Sequence, residues 1–383
     1  MFADDTCLYV TLDNPEESAE ILNNELHSVH DWACQWIVNF NAAKTKSMTI
    51  SNRNRQHPPI YFDGAQIESV SSHKHLGVVL SNNLTWTDHI NAVLKDASKM
   101  IDVTRKLKYD LDRKTLETIY FSFIRPKLEY ACQVWDNCCE RDKDKLEDFQ
   151  RSVARVVSGA KKGTSHELLY EEVCWATLQD RRTNLKMQLM HNIVNMETPA
   201  FLCEVLPNKV GENNRYRLRN NGNYELFPCR TEKFQKSFFP ETVRLWNELT
   251  DEQKAIQDKN VFKSKLKDTN GKSSELFNFG VRKYNIIHAQ MRMKCSDLKA
   301  HLFALHVIDD PVCICNTGIE DTYHYFFQCP LYYTYRLDLE NAVNAVSKYD
   351  FKVLLYGDDN LNLKENQIIF AAVHTFIKST GRF

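Results

Sequence analysis

The feature that most constrains this chain is a change in the spacing of its apolar residues. From residue 89 onward Ile90, Val93, Leu94, Ala97, Ile101, Thr104 and Leu107 recur every three or four positions. That spacing puts them on one face of a helix. Lys95, Lys99, Arg105, Lys106 and Lys108 lie mostly off that face. A second helix is expected over about 113–135. A third, over about 143–157, turns Leu146, Phe149, Val153 and Val157 inward. Amphipathic helices with short joins make a bundle. The first 80 residues read differently. Pro15 to Trp36 forms a helix through Ala19, Leu22, Leu26, Val29, Ala33 and Trp36, with Pro15 near its start, where a missing N–H costs least. Phe2 to Leu12 reads as strand, turn and strand around Asp4 and Asp5. Ser47–Ile50, Ile60–Phe62 and Leu76–Leu80 read as short strands. Strands with one helical layer followed by helices give an α+β fold class.

Composition narrows the functional classes. Hydrophobic residues make up 43% of the 383 and charged residues 26%, enough to build packed cores. No two glycines stand as G-x-G, and the chain has no G-x4-G-K-[S/T], G-x-S-x-G or H-E-x-x-H. That removes the common glycine-loop nucleotide sites, serine hydrolases and zinc proteases from consideration. Ile368–Val373 is the longest apolar run near the end, far short of a membrane span. Asp4 and Asp5 stand where a secretory signal carries positive charge. The expectation is a soluble, intracellular protein, cytoplasmic or nuclear, with no membrane partner. Its 12 cysteines are spread along the chain, so most should be reduced thiols.

The net charge of −1 hides an asymmetry. Residues 1–90 hold 5 Lys/Arg against 11 Asp/Glu; residues 91–165 hold 16 against 12; residues 208–299 hold 19 against 11. The stretch 208–236 looks like a basic linker. It interleaves Arg215, Arg217, Arg219, Arg230, Lys233 and Lys236 with Tyr216, Tyr224, Phe227 and Phe234. Basic groups among aromatic faces suit a phosphate backbone with stackable bases. A surface loop with its aromatics folded onto the core fits as well.

Two motifs carry chemistry. Asp4-Asp5 between apolar segments offers adjacent carboxylates, the ligands Mg²⁺ prefers alongside water and substrate phosphates. Such sites support two-metal phosphoryl transfer. An ordinary acidic turn has the same residues. Cys313-Ile314-Cys315, His324 and Cys329 form C-x-C-x8-H-x4-C, with Gly318 in the intervening loop and Pro311 and Pro330 at its borders. Three thiolates and an imidazole are a ligand set for a closed, structural Zn²⁺ tetrahedron. The alternative is buried thiols and a core histidine.

Phe2-Ala3-Asp4-Asp5-Thr6 resembles the catalytic motif of reverse transcriptases of non-LTR (LINE-like, jockey-type) retrotransposons. Further segments resemble the same family in the same order. Trp36-Ile37-Val38-Asn39-Phe40-Asn41 with Lys44-Thr45-Lys46 resembles the stretch after the palm helix. His75-Leu76-Gly77-Val78, then Leu84-Thr85-Trp86 and His89-Ile90, resembles the passage from primer grip to thumb. Tyr130, Val134-Trp135, Leu146 and Gln150 resemble thumb helices. Arg230-Thr231, Ser237-Phe238 and Leu245-Trp246-Asn247, and the Cys/His cluster, resemble the tail of these reading frames.

The resemblance implies a partial palm over 1–84, a helical thumb over 85–165, a helical connector over 166–300 and a C-terminal region over 301–383 with a CCHC-type knuckle at 313–329. It implies Mg²⁺ or Mn²⁺ on Asp4 and Asp5, and Zn²⁺ on Cys313, Cys315, His324 and Cys329. His75, Leu76 and Gly77 would hold the primer end. Lys44 or Lys46 would lie on the triphosphate side, and Lys99, Arg105, Lys106, Arg215, Arg217 and Arg219 would touch nucleic acid. RNA template, DNA primer and dNTP are the implied partners of an intact RNA-directed DNA polymerase. The oligomeric state is left open.

The resemblance begins at the Asp-Asp motif. The family's upstream aspartate and fingers have no counterpart here, so the expectation is a fragment that does not polymerise alone. Two other readings stand beside it: a nucleic-acid-binding remnant using the basic regions and the knuckle, and a structural or interaction protein built on the helical bundle.

Overall fold

The computed structural model describes residues 5–11, 13–51, 57–212, 221–266 and 275–383. The architecture is mainly helical with a few short strands, compatible with α+β. The chain divides into two compact units, Met1–Ala92 and Val93–Phe383.

In the first unit α1 spans Pro15–Gln35. Asn14 caps it, its side-chain oxygen accepting the Glu16 N–H at 3.0 Å, and Pro15 occupies the first turn. Among the described residues six two- to four-residue strands follow: β1 Lys46–Ser47, β2 Tyr61–Phe62, β3 Ala65–Gln66, β4 Glu68–Ser69, β5 Ser72–His75 and β6 Val78–Ser81. They pair as parallel β1–β4 and antiparallel β2–β3 and β5–β6. Both hairpins turn on two residues of positive φ, Asp63-Gly64 and Leu76-Gly77, the backbone a tight two-residue turn requires. Leu76 and Gly77 therefore make the turn, and the strand expected from Leu76 starts at Val78. Ala19 of α1 packs with Ile60, Phe62 and Ile67, and Leu22, Leu26, Val29, Phe40 and Ala42 complete this small core.

The expected strand–turn–strand over 2–12 is described only in part. Asp5 forms a β-bridge, and residues 6–11 carry no strand. Tyr9 is 88% exposed. An extended segment without a packed face gains too little to hold a ladder.

α2, Thr87–Leu107, runs into the second unit. The helix expected over 113–135 is broken into α3 (Arg113–Ile119), a π-turn (Tyr120–Ile124), α4 (Arg125–Glu129) and α5 (Cys132–Trp135). Pro126 lacks the N–H that a regular ladder needs, and the π-turn accommodates it. Ala131, at φ 52°, then reverses the backbone hand. Trp135, fully buried, fastens the break by donating its indole N–H to the Tyr130 carbonyl at 2.8 Å. α6 (Glu140–Ser158) ends at Gly159, whose φ of 78° is the left-handed cap glycine takes without strain. A Cβ at Gly159 would lie 2.6 Å from the Ile286 side chain.

α7 (His166–Val173) and α8 (Leu178–Val194) start at Ser165 and Thr177 caps. α9 (Ala200–Cys203), α10 (Glu232–Gln235), α11 (Phe238–Glu248), α12 (Asp251–Lys254) and α13 (Lys259–Lys265) follow. Met187, Met190, Tyr224, Val243, Trp246 and Phe262 form the core here. Tyr224 and Phe227 of the basic linker pack into or against it. The last region holds α14 (Arg282–Arg292), α15 (Lys299–Ala304), α16 (Tyr333–Asn344), α17 (Phe351–Tyr356) and α18 (Leu363–Thr380). They enclose an aromatic-rich core of Tyr325, Phe326, Leu354, Phe370, Val373 and Phe376 among others. Each fully buried side chain of this size stabilises by about 1.5–3 kcal/mol.

Ion pairs are buried in the second unit. Glu172 of α7 receives Arg292 of α14 at 2.7 and 2.8 Å, and Arg113 of α3 at 2.5 Å, with Arg113 also at 3.1 Å from Glu117. Asp136 receives Arg182 at 2.6 Å and Lys186 at 2.5 Å, and Lys186 also reaches Glu241 at 2.6 Å. Arg282 donates to the carbonyls of Val156 (3.3 Å) and Val157 (2.6 Å) in the last turn of α6, and to that of Lys108 (3.2 Å) just past α2. It places one cation at the negative ends of two helix dipoles.

Candidate metal centre

The loop 311–330 gathers Cys313, Cys315, His324 and Cys329. Their ligand atoms all lie within 4.8 Å of one another. Local hydrogen bonds explain why. Val312 and Ile319 form an antiparallel bridge, and the Cys313 N–H donates to the Gly318 carbonyl at 2.9 Å. Asn316, at φ 59°, turns the chain between them. Gly318 lies against the His324 ring, where a Cβ would stand 3.4 Å from Nδ1, an ordinary contact. His324 opens a π-turn over His324–Gln328, and its backbone N–H donates to Asp321 Oδ1 at 2.7 Å. The Cys329 N–H closes that turn on the His324 carbonyl at 2.8 Å. Arg336 of α16 donates to the carbonyls of Phe326 (2.8 Å) and Cys329 (2.6 Å).

The Cys313–Cys329 spacing fits zinc. Cys313 Sγ lies 3.8 Å from Cys329 Sγ. Two sulfurs bound at about 2.3 Å in a tetrahedron stand about 3.8 Å apart. Cys315 Sγ lies 3.2 Å from His324 Nε2. Cys313, His324 and Cys329 are buried, and Cys315 is half-buried. The thiols differ in acidity. Burial pushes Cys313 up to about 12. For Cys315 burial acts the same way, but hydrogen bonds from Thr317, Cys313 and His324 outweigh it and bring the thiol down to about 6. Four protein ligands leave no open position, which is the pattern of a structural site.

A second tie holds the same loop. Glu320 is 1% exposed and its carboxylate takes both Arg382 Nε and Nη2 at 2.7 Å, together with the Lys299 N–H at 2.9 Å. Burial opposes ionisation of Glu320, and the Arg382 hydrogen bonds and charge outweigh it, holding its pKa below the usual range. Neither this pair nor the buried Glu172 pairs has a signal in the sequence. A buried Glu or Arg shows no spacing rule, and Glu320 and Arg382 are 62 residues apart.

Asp4 lies outside the described residues, as do Arg215, Arg217 and Arg219. Asp5 is exposed. Lys44 is exposed in a turn, its N–H donating to the Asn41 carbonyl at 3.1 Å. Lys46 on β1 pairs with Glu68 of β4 at 2.5 Å. His75 ends β5, half-buried, with Leu76 and Gly77 exposed in the hairpin turn. Lys99 and Arg105 on α2 are exposed, each paired with an acid one turn back, Asp96 at 3.3 Å and Asp102 at 3.0 Å; Lys106 is exposed. Among the described residues no helix is long and apolar enough to cross a membrane.

Comparison with known proteins supplies sequence relatives. The chain is 25% identical over 184 residues to the "probable RNA-directed DNA polymerase from transposon X-element" of Drosophila melanogaster, 47% of this chain and 20% of that protein. It is 28% identical over 164 residues to the "RNA-directed DNA polymerase from mobile element jockey" of Drosophila funebris, 42% of this chain and 18% of that protein. The polymerase described as from transposon BS of Drosophila melanogaster is 24% identical over 165 residues. The matched segment thus spans about a fifth of these relatives' length. No family model and no solved structure matches the chain.

Proposed function

We propose, for a chain homologous to LINE-like, jockey-type reverse transcriptases, that it is the C-terminal part of an RNA-directed DNA polymerase. The observation that carries this reading is the similarity to the X-element and jockey polymerases. In this reading residues 1–84 are palm, 85–165 thumb, 166–300 a connector and 301–383 a tail held by zinc. Asp4 and Asp5 bind Mg²⁺, and His75, Leu76 and Gly77 hold the primer end. Lys44 and Lys46 stand on the triphosphate side. RNA, DNA and dNTP are the partners of the whole polymerase. The Cys₃His cluster supplies a fixed fold for the tail.

Charge sets what this chain can do by itself. Two divalent ions bring four positive charges and the two aspartates return two. The triphosphate would have to supply the rest, and in this reading the two aspartates without a third carboxylate do not suffice, so that the chain alone does not polymerise. What it retains is nucleic-acid binding through Lys99, Arg105, Lys106 and the basic linker with Arg215, Arg217 and Arg219. The excess of Lys/Arg over 208–299 supports that second activity.

Two assays on the purified chain test this. In primer extension on an RNA template with Mg²⁺ or Mn²⁺, no dNTP incorporation is expected. In filter binding, an RNA–DNA hybrid should be retained at low salt and released steeply as salt rises. Robust incorporation would overturn the inactivity. Failure to retain nucleic acid at low salt would leave the interaction-protein reading in its place.

A further inference from the structure

Two histidines face each other inside the C-terminal core. His288 lies on α14 and His374 on α18, with ring centroids 5.5 Å apart and planes at 84°. They are 1% and 7% exposed. His288 Nε2 lies 2.9 Å from the Leu354 carbonyl of α17, which makes Nε2–H the donor and leaves Nδ1 with a lone pair. That Nδ1 is buried and has no hydrogen-bond partner. Phe370 stands 4.5 Å from the His288 ring. Phe279 and Tyr284 stand 6.4 and 6.3 Å from His374. Gly280, at φ 87°, approaches His374 so closely that a Cβ would meet its Nδ1 at 2.6 Å. The rings are thus close-packed, and among the described residues no group stands within hydrogen-bond distance of His288 Nδ1 to accept from a second N–H.

The charges nearby make matters worse for an imidazolium. Arg292, one turn along α14 from His288, lies with its guanidinium 3.9 Å from the Phe277 ring centroid and 6.0 Å from that of Phe370. Its counter-ion, Glu172 of α7, is shared with Arg113. Tyr284 on α14 and Tyr356 on α17 are also titratable, and Tyr356 feels both Arg292 and Glu172; Lys283 on α14, Lys352 on α17 and Lys364 on α18 are exposed, while Arg282 at the start of α14 and Glu365 at the start of α18 are half-buried. Lys378, one turn beyond His374 on α18, is exposed.

We propose that His288 and His374 form an acid-released latch between α14, α17 and α18. Neutral rings close the three helices on one another, and protonation of each ring adds to their release. Burial first, then Arg292 and His374, hold His288 well below its ordinary value of 6.5, and burial with Arg292 brings His374 down to about 4. Both are depressed in the closed form, so the opened form binds more protons below pH 6.5. The latch is fully closed above that pH and weakens as pH falls toward 4. At about pH 4.5 each released histidine favours the open form by up to about 100-fold.

Hydrogen–deuterium exchange on the full chain at about pH 7 and 4.5, corrected for intrinsic rates, tests this. Zinc content is measured in parallel, because acid loss of zinc would loosen the same region. The expected result is a loss of protection over 282–292 and 363–380 at least tenfold larger than over 140–158, with zinc retained. His374→Phe should shrink that loss about tenfold. Unchanged protection at about pH 4.5 overturns the latch, as does opening that occurs only together with zinc loss, or a full-sized loss in His374→Phe. Should that variant not fold, ring-nitrogen NMR of the unaltered chain decides. Rings that take a second proton while α18 stays protected overturn the proposal. Rings that stay neutral until α18 opens support it.

Discussion

The two units close themselves by different means. Among the described residues the first has a small buried cluster, Ala19, Ile60, Phe62 and Ile67, and strands of two to four residues. Its ion pair Lys46–Glu68 lies at the surface, with Glu68 67% exposed. The second buries fifteen residues in its C-terminal cluster alone and sinks Glu172, Arg113 and Arg292 to 3% exposure or less. The same chemistry of carboxylate and cation is therefore cheap to lose in one unit and costly in the other. Where a charge sits decides this more than how well it is paired.

Three measurements press on that contrast. Removing zinc should have the largest effect. Chelation, or Cys313→Ser with Cys329→Ser, should cost several kcal/mol and lower Tm by on the order of 10 °C. Native mass spectrometry should find one zinc per chain before chelation, and exchange should rise over α16–α18 and not over α1. An equal rise in α1 would break the comparison. Next, Glu172→Ala leaves the buried Arg292 guanidinium without a carboxylate partner and Arg113 with Glu117 alone, and should cost about 3–5 kcal/mol in chemical denaturation. A cost below 1 kcal/mol would mean that the site hydrates freely. Smallest, Lys46→Ala should cost about 0.2–1 kcal/mol, and less still at high salt.

What the sequence discloses follows how local the cause is. α1 is legible because Pro15, the cap at Asn14 and the apolar face all lie within one stretch. The Cys₃His cluster is legible for the same reason, its four ligands falling within 17 residues. The break in the 113–135 helix was open to reading from Pro126, but its form was not: the left-handed Ala131 depends on Trp135 reaching the Tyr130 carbonyl from a buried position. The Glu172 network is invisible because its partners lie 59 and 120 residues away, and distant pairs leave no period. The hairpin β5–β6 was missed because Leu76 and Gly77 look like the start of a strand, and only their positive φ values show a turn.

The reach of Arg282 has a consequence in time. It closes the end of α6 from 125 residues further along the chain. Synthesis at about 5–20 residues per second separates the two by roughly 6–25 s. For that interval the nascent helix waits with the Val157 carbonyl still in water, and the order in which the chain emerges, not contact strength, sets when α6 is finished.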